Sequence, residues 1–312
     1  HLGTTLRWRV AQTFKRHGFE EALSLPAAAT HCASGETTTA LLTRLDSALA
    51  REQGQVARPA LVADPDRDRE HPGRREAQAW RERLEAALAQ DAFDLQPGPV
   101  VDSYGYLVHE EGVLRLRNGD RCYAGSEILA WGDRLSLSGA IDRCTVALGI
   151  RRRRAGAGDL SIALSAAALA DAGFAAWLRG QLAALGSDAA GLAVEVDGAA
   201  AIDHPGGFAT LRRAVHDTGA GLGLRHVGQH LVQLHESAQL MPDYIKFDQL
   251  YVRGVAARRT RRRVLATLAA MARDLDLPCI AEGVASREER EAAFACGVTA
   301  VTGRGAIVQA AA

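Results

Sequence analysis

Asp243-Tyr244-Ile245-Lys246-Phe247-Asp248 is a short apolar run that ends on charged side chains, and Ile280-Ala281-Glu282-Gly283-Val284 repeats the arrangement further along. A buried strand has no reason to finish on Lys or Glu unless that side chain emerges where binding or chemistry takes place. Between the two runs, residues 260–274 carry helical spacing. Strand, helix and strand in this order make a parallel β/α unit whose strand C-termini open on one face.

The alternation extends in both directions from this unit. An amphipathic helix is expected over 80–90, and two strands over 99–106 and 107–117 joined by a tight turn at Gly105. Helical patterns follow at 124–134 and 138–150, then a strand at 160–164 with a helix over 166–185. A strand at 192–196 precedes a helix at 206–217, a strand covers 221–225, and a last strand covers 298–301. Strands alternating with helices over this length predict an α/β fold, a TIM-like (β/α)8 barrel with its active groups at the strand C-termini. The opening hairpin makes the first strand antiparallel to the others.

Residues 57–78 are rich in Arg, Asp and Pro, as in Asp64-Pro65-Asp66-Arg67-Asp68-Arg69, and read as an exposed linker. The chain is thereby divided into a front piece, 1–56, and a barrel domain, 79–312. In the front piece the apolar positions 41, 42, 45, 48 and 49 have helical spacing, after the run Ala22-Leu23-Ser24-Leu25 and the polar Ser34-Gly35-Glu36-Thr37.

The 312 residues include 37 basic and 37 acidic side chains, so the formal net charge is zero. Neither a nucleic-acid polymer nor a membrane surface is expected as a partner of this segment. Five cysteines without CxxC spacing exclude a disulfide framework and a zinc site, and fit a reducing, cytoplasmic setting. No apolar stretch reaches spanning length and no signal peptide opens the chain. It begins at His1 rather than Met, the expectation for a segment of a longer protein, including the cytoplasmic part of a membrane-anchored one.

The pair of segments DYIKFD and IAEGV resembles the C-terminal half of the EAL family, the cyclic di-GMP phosphodiesterases. Strand, loop and helix in the front piece resemble the C-terminal part of a GGDEF domain, so a partial α/β GGDEF-like piece is expected before the barrel. The family holds its substrate and two Mg²⁺ or Mn²⁺ ions with carboxylates, an Asn, a Lys and a Gln at different strand ends. By this resemblance Glu111 and Glu195 stand at metal-ligand positions, Arg115 at a phosphate-contacting position, and Lys246 and Glu282 at catalytic positions. Asp248 matches the aspartate two residues past the lysine. The ligand-binding set implied is Glu111, Arg115, Lys246, Asp248 and Glu282.

Other positions depart from the family pattern. The triplet EAL is Glu111-Gly112-Val113, Gly98 stands for the substrate-contacting Gln, and an alternative register uses Gln96-Pro97. Ala163 stands for a metal-ligating Asn, Gly198 for a second Glu, and Thr302 for a terminal Gln. Arg225 and His226 replace two metal-binding aspartates. An alanine methyl cannot ligate, and a guanidinium repels a divalent ion at short range. Arg225 is instead expected to pair with the carboxylates left without metal. His226 and His230 lie four apart, but no third zinc ligand accompanies them.

The expectation is a catalytically inactive, LapD-like or FimX-like EAL module without a metal cofactor, a cyclic di-GMP receptor acting through contacts with an effector or sensor protein, with a homodimer as a candidate assembly. A scaffold that binds no nucleotide is the alternative, and a residual metal-dependent phosphodiesterase the second.

Overall fold

The computed structural model describes residues 28–30, 61–63, 72–119, 121–228, 231, 233 and 241–306. The chain divides into two units between Glu82 and Arg83, inside a helix, Pro72–Ala89. In the first unit, β1 (Ala28–Thr30) and β2 (Leu61–Ala63) pair in parallel, Ala28 opposite Leu61. The rest of the GGDEF-like reading lies outside the described residues. The stretch 57–78, expected as a linker, therefore contains β2 and the start of the helix. Its apolar triplet Leu61-Val62-Ala63 pairs in spite of the polar composition around it.

The second unit is built on β3 (Phe93–Asp102), β4 (Leu107–Asn118), β5 (Arg121–Ala124), β6 (Leu160–Ala163), β7 (Leu192–Asp197), β8 (Gly221–Val227), β9 (Tyr244–Phe247), β10 (Cys279–Ala281) and β11 (Ala300–Thr302). The sheet runs β3-β11-β10-β9-β8-β7-β6-β4, and β3 also pairs with β4, closing eight strands into a barrel. β3 is antiparallel to both of its neighbours, and the remaining barrel strands are mutually parallel. The short β5 pairs only with β4 and hangs outside the ring. The expected TIM-like barrel with an antiparallel first strand is thus the observed one.

The hairpin between β3 and β4 turns where Gly105 takes φ +86°, a conformation glycine adopts without steric penalty. The helix expected over 166–185 is two helices, Ala167–Ala170 and Phe174–Ala183. Between them Asp171 Oδ1 accepts the Gly173 N–H at 2.8 Å and turns the chain. Leu160, Ile162, Leu192, Val194, Val196, Leu222 and Leu224 are all buried, so the central parallel strands read as nearly continuous apolar runs.

Asp142, on the helix Ser138–Arg154, is wholly buried. It accepts the Ser165 N–H at 2.9 Å and the Ser165 hydroxyl at 2.7 Å, pinning the chain where it leaves β6. Burial pushes its carboxyl up to about 6, against the opposing hydrogen bonds from Ser165. A raised carboxyl of this kind contributes stability that is intact near the unfolded value of 3.8 and is lost as pH rises through about 6. Asp142→Asn keeps the shape and the acceptor. It is expected to be more stable than the parent by roughly 1–3 kcal/mol near pH 8, and no more stable near pH 4. Urea denaturation at the two pH values measures the difference.

Candidate functional site

A cavity of about 460 Å³ opens at the C-terminal ends of the parallel strands, lined by Glu111, Ala163, Glu195, Arg225, Asp248 and Glu282 among others. Each of these comes from a different strand or strand end, as the barrel geometry requires.

Lys246 lies beneath them with no exposure to solvent. Its ammonium donates to Glu111 on β4 and, at 2.6 Å, to Glu195 on β7. Tyr244, two residues earlier on the same face of β9, donates its hydroxyl to Glu195 Oε1 at 2.6 Å. Thr302 donates to Glu111 Oε2 at 3.0 Å. Burial alone would raise the Glu195 carboxyl, but Lys246 and then Arg225 outweigh it and hold the group well below its ordinary value. Lys246 is raised in turn, the three carboxylates Glu195, Glu111 and Glu282 overcoming its loss of hydration.

Arg225 and His226 are consecutive yet both line the cavity. Alternation along a regular strand would send them to opposite faces. The register of β8 against β9 explains the difference. Leu224 faces Ile245 and Val227 faces Phe247, so Arg225 and His226 together oppose the single residue Lys246. This is a β-bulge, and its second residue, His226, takes φ +51°, a region that non-glycine residues enter mainly at functional or constrained positions.

Arg225 Nε lies 3.6 Å from Glu195 Oε2 and 3.5 Å from Glu282 Oε1. These are ion-pair contacts longer than a good hydrogen bond, and that nitrogen has no hydrogen-bond partner. The His226 ring meets Asp197 at 2.7 Å and Glu282 at 3.7 Å. The hydrogen bond to Asp197 raises His226. Burial raises Glu282, with Arg225 and Lys246 opposing.

Packing accounts for several departures in the sequence. A Cβ on Gly112 would come within 3.2–3.3 Å of Leu95, Ile162 and the Ser161 carbonyl, so the middle position of the triplet has little room. A Cβ on Gly198 would meet Val227 at 3.2 Å and the Arg225 carbonyl at 3.3 Å, crowding the bulged strand. Gly223 leaves space for the Tyr244 ring, whose atoms lie 2.5–2.8 Å from where its Cβ would be.

Of the residues singled out from sequence, Glu111, Glu195, Lys246, Glu282 and Arg225 meet at this site. Asp248 lines the cavity and caps the next helix, accepting the Leu250 N–H at 2.7 Å. Arg115 is not among the lining residues; its Nε donates to Gln96 at 2.9 Å. Sequence reasoning missed Tyr244 and the hydroxyl of Thr302. It also missed His109, whose ring lies 5.7 Å from that of Tyr244 and whose buried Nε2 has no hydrogen-bond partner. For Tyr244 a signal was present, since it precedes Lys246 by two on a strand and so shares its face.

The site does not suit a pair of hard divalent ions. Glu195 Oε1 receives Lys246 and Tyr244, its Oε2 faces Arg225, and Glu111 receives Lys246 and Thr302. Ala163 adds no donor, and among the described residues no three His, Cys, Asp or Glu side chains converge as a metal set.

The chain belongs to the EAL domain family, which it matches over residues 81–306. Its fold is similar to that of Vibrio cholerae LapD S helix-GGDEF-EAL bound to c-di-GMP, with a TM-score of 0.71 and 22% identity over 86% of this chain and 66% of that one. It is also similar to the Xanthomonas citri FimX EAL domain in complex with c-diGMP, with a TM-score of 0.66 and 25% identity over 74% of this chain and 92% of that one. The PaMucR phosphodiesterase, a c-di-GMP complex, matches with a TM-score of 0.64 and 20% identity over 72% of this chain and 94% of that one. The chain thus spans just under two thirds of the length of LapD it matches. No curated protein matches it.

Lys246→Met would leave Glu111 and Glu195 facing each other without their shared cation. Removing one partner of a buried pair typically costs about 3–5 kcal/mol, and that loss is expected near pH 7. The parent's benefit from Glu195 is present above the ordinary carboxylate value and fades as pH falls below it, because the folded carboxyl is depressed. In the variant the carboxyls take up protons instead, so the gap between the two proteins should narrow toward about pH 4. Thermal unfolding across this range reads the difference, and a gap independent of pH would contradict the pairing.

Proposed function

We propose that this EAL-family chain is a non-hydrolysing cyclic di-GMP receptor, free of metal, that acts through contacts with an effector or sensor protein. The observation that carries the reading is the position of Arg225, with its guanidinium against both Glu195 and Glu282. Phosphodiester hydrolysis of the family's type needs two divalent ions to generate hydroxide and clamp the phosphate. Here Lys246, Arg225 and His226 neutralise the carboxylates that such ions would require. The cavity falls within the roughly 300–1,000 Å³ typical of small-molecule sites, and the LapD and FimX structures it resembles hold c-di-GMP.

The front piece fits the same reading. The match to LapD takes in 86% of this chain against 74% for an isolated EAL domain, in line with a GGDEF-like piece before the barrel. A homodimer and a cytoplasmic setting belong to the proposal as well. Cys122, Cys144, Cys279 and Cys296 are free, and among the described residues no helix is long and apolar enough to cross a membrane.

A second reading, a scaffold that binds no nucleotide, is favoured by Arg115. In the family that position contacts phosphate, whereas here its side chain is engaged by Gln96 away from the cavity lining.

Calorimetric titration of the full chain with cyclic di-GMP, in Mg²⁺ and in EDTA, separates these possibilities. The receptor reading expects the same affinity in both, weakening with salt, and no linear dinucleotide by chromatography. Absence of binding in both conditions selects the scaffold. Linear product formed in Mg²⁺ or Mn²⁺, and lost in Glu282→Ala, refutes the proposal. In a second test, Arg225→Asp with His226→Asp should leave the barrel folded and create Mn²⁺ binding that the parent lacks.

A further inference from the structure

Glu289 is the third residue of the helix Arg287–Ala295, whose cap, Ser286, accepts the Glu289 N–H at 3.3 Å. Ser and Glu at this spacing form a capping box, in which the glutamate ordinarily reaches back to the N–H of the cap residue itself. The Glu289 carboxylate instead leaves its own helix. Its Oε2 accepts the Ala285 N–H at 3.0 Å, and its Oε1 accepts the Gly254 N–H at 2.7 Å. Gly254 follows the short helix Gln249–Val252, on the connection that leaves β9, whereas Ala285 lies on the connection that leaves β10. One carboxylate therefore bridges two loops. Arg290, next to it, donates to the Ala306 carbonyl at 3.3 Å, on the loop that leaves β11.

These three loops form one wall of the cavity. Asp248 and Gln249 from the first, Glu282 and Gly283 from the second and Gly303 from the third all line it. The loops meet closely, with little between them but backbone. A Cβ on Gly283 would stand 2.7 Å from the Gln249 Cβ, and one on Gly303 2.7–2.9 Å from the Gly283–Val284 peptide. At the strand ends the Glu282 N–H donates to the Phe247 carbonyl at 3.1 Å and the Val284 N–H to the Thr302 carbonyl at 3.0 Å. Beyond those bonds no side chains interlock at the two glycines, and the carboxylate behind the wall ties the first loop to the second.

We propose that Glu289 is a positioning residue for the candidate site. By holding Gly254 and Ala285 together it sets Asp248, Gln249 and Glu282 where a ligand meets them. Taking that ligand as cyclic di-GMP rests on the receptor reading above. A helix cap needs only an acceptor near its own first turn, so the bond to Gly254 is explained by the loop it holds and not by the helix. Both oxygens accept, which requires a carboxylate. A glutamine amide offers one acceptor and would turn its NH2 toward the other N–H.

Glu289→Gln keeps the shape and removes one acceptor. Glu288→Gln removes the same charge from the helix start, where it favours the macrodipole, and leaves the bonds to Gly254 and Ala285 in place. Hydrogen exchange of the full chain without nucleotide, read by mass spectrometry, should quicken over 249–254 and 282–286 in Glu289→Gln and not in Glu288→Gln. By calorimetry Glu289→Gln should bind cyclic di-GMP roughly tenfold more weakly, about the loss of one charge-assisted hydrogen bond, while Glu288→Gln binds as the parent does. The proposal is overturned if exchange quickens only within 287–295, or if the parent binds the nucleotide and Glu289→Gln binds it equally. A parent that binds no nucleotide defeats the receptor reading, and the exchange of the two loops then decides the role of Glu289 by itself.

Discussion

The ammonium of Lys246 holds together the inside of the barrel. It is removed from solvent and joined to Glu111 on β4 and Glu195 on β7, so one cation on β9 ties three strands across the interior. Taking such a charge out of water costs several kcal/mol unless its partners are complete. Much of the surrounding sequence supplies that completion. Tyr244 fills a lone pair of Glu195 and Thr302 one of Glu111. Gly223 exists as a glycine because the Tyr244 ring occupies the space of its Cβ. A partly satisfied network of this kind would be worse than an apolar core, and so these positions stand or fall together.

The bulge in β8 follows from the same arrangement. Lys246 fills one register position of β9, and two residues of β8 are set against it. The extra residue brings Arg225 and His226 to one side, where they meet the carboxylates that Lys246 does not fully neutralise. Gly198 accommodates the bulged backbone, since a side chain there would press on Val227 and the Arg225 carbonyl. What a comparison of letters records as separate losses, at 198, 225 and 226, is in space one packed unit.

The barrel was legible because buried strands that end on charge have few explanations, and because Gly105 marks the hairpin. The pairing of Arg225 with carboxylates was legible from charge alone, since neighbouring acids without a cation would take up protons. The bulge was not, because no glycine marks it and His226 enters the left-handed region under tertiary constraint. Thr302 read as a loss, for a hydroxyl bond to Glu111 depends on the closure of β11 against β3, which juxtaposes residues far apart in sequence. Arg115 shares the alternation of Glu111, as expected. But β4 pairs with β6 only through Glu110–Gly112 and then continues past it, and Arg115 ends beside Gln96 on β3. Leu61–Ala63 was hidden by averaging over a polar stretch.

The organic cations around the carboxylates also shape how the site responds to its surroundings. A divalent ion would act on all of its carboxylates together. Lys246, Arg225 and His226 act on them unequally. Glu195 has Lys246, Arg225 and Tyr244 against it and is held ionised far below the ordinary range. Glu282 is met by Arg225 at 3.5 Å and by the His226 ring at 3.7 Å, contacts longer than the bonds Glu195 receives from Lys246 and Tyr244, and burial prevails, raising it. Two carboxylates in one cavity are thereby pushed in opposite directions, one locked as a structural anion and the other left responsive. The locked group belongs to the scaffold beneath the cavity. The responsive one stands between Arg225 and His226, so any ligand or pH change that alters Glu282 acts on the two residues that the bulge turns toward the opening.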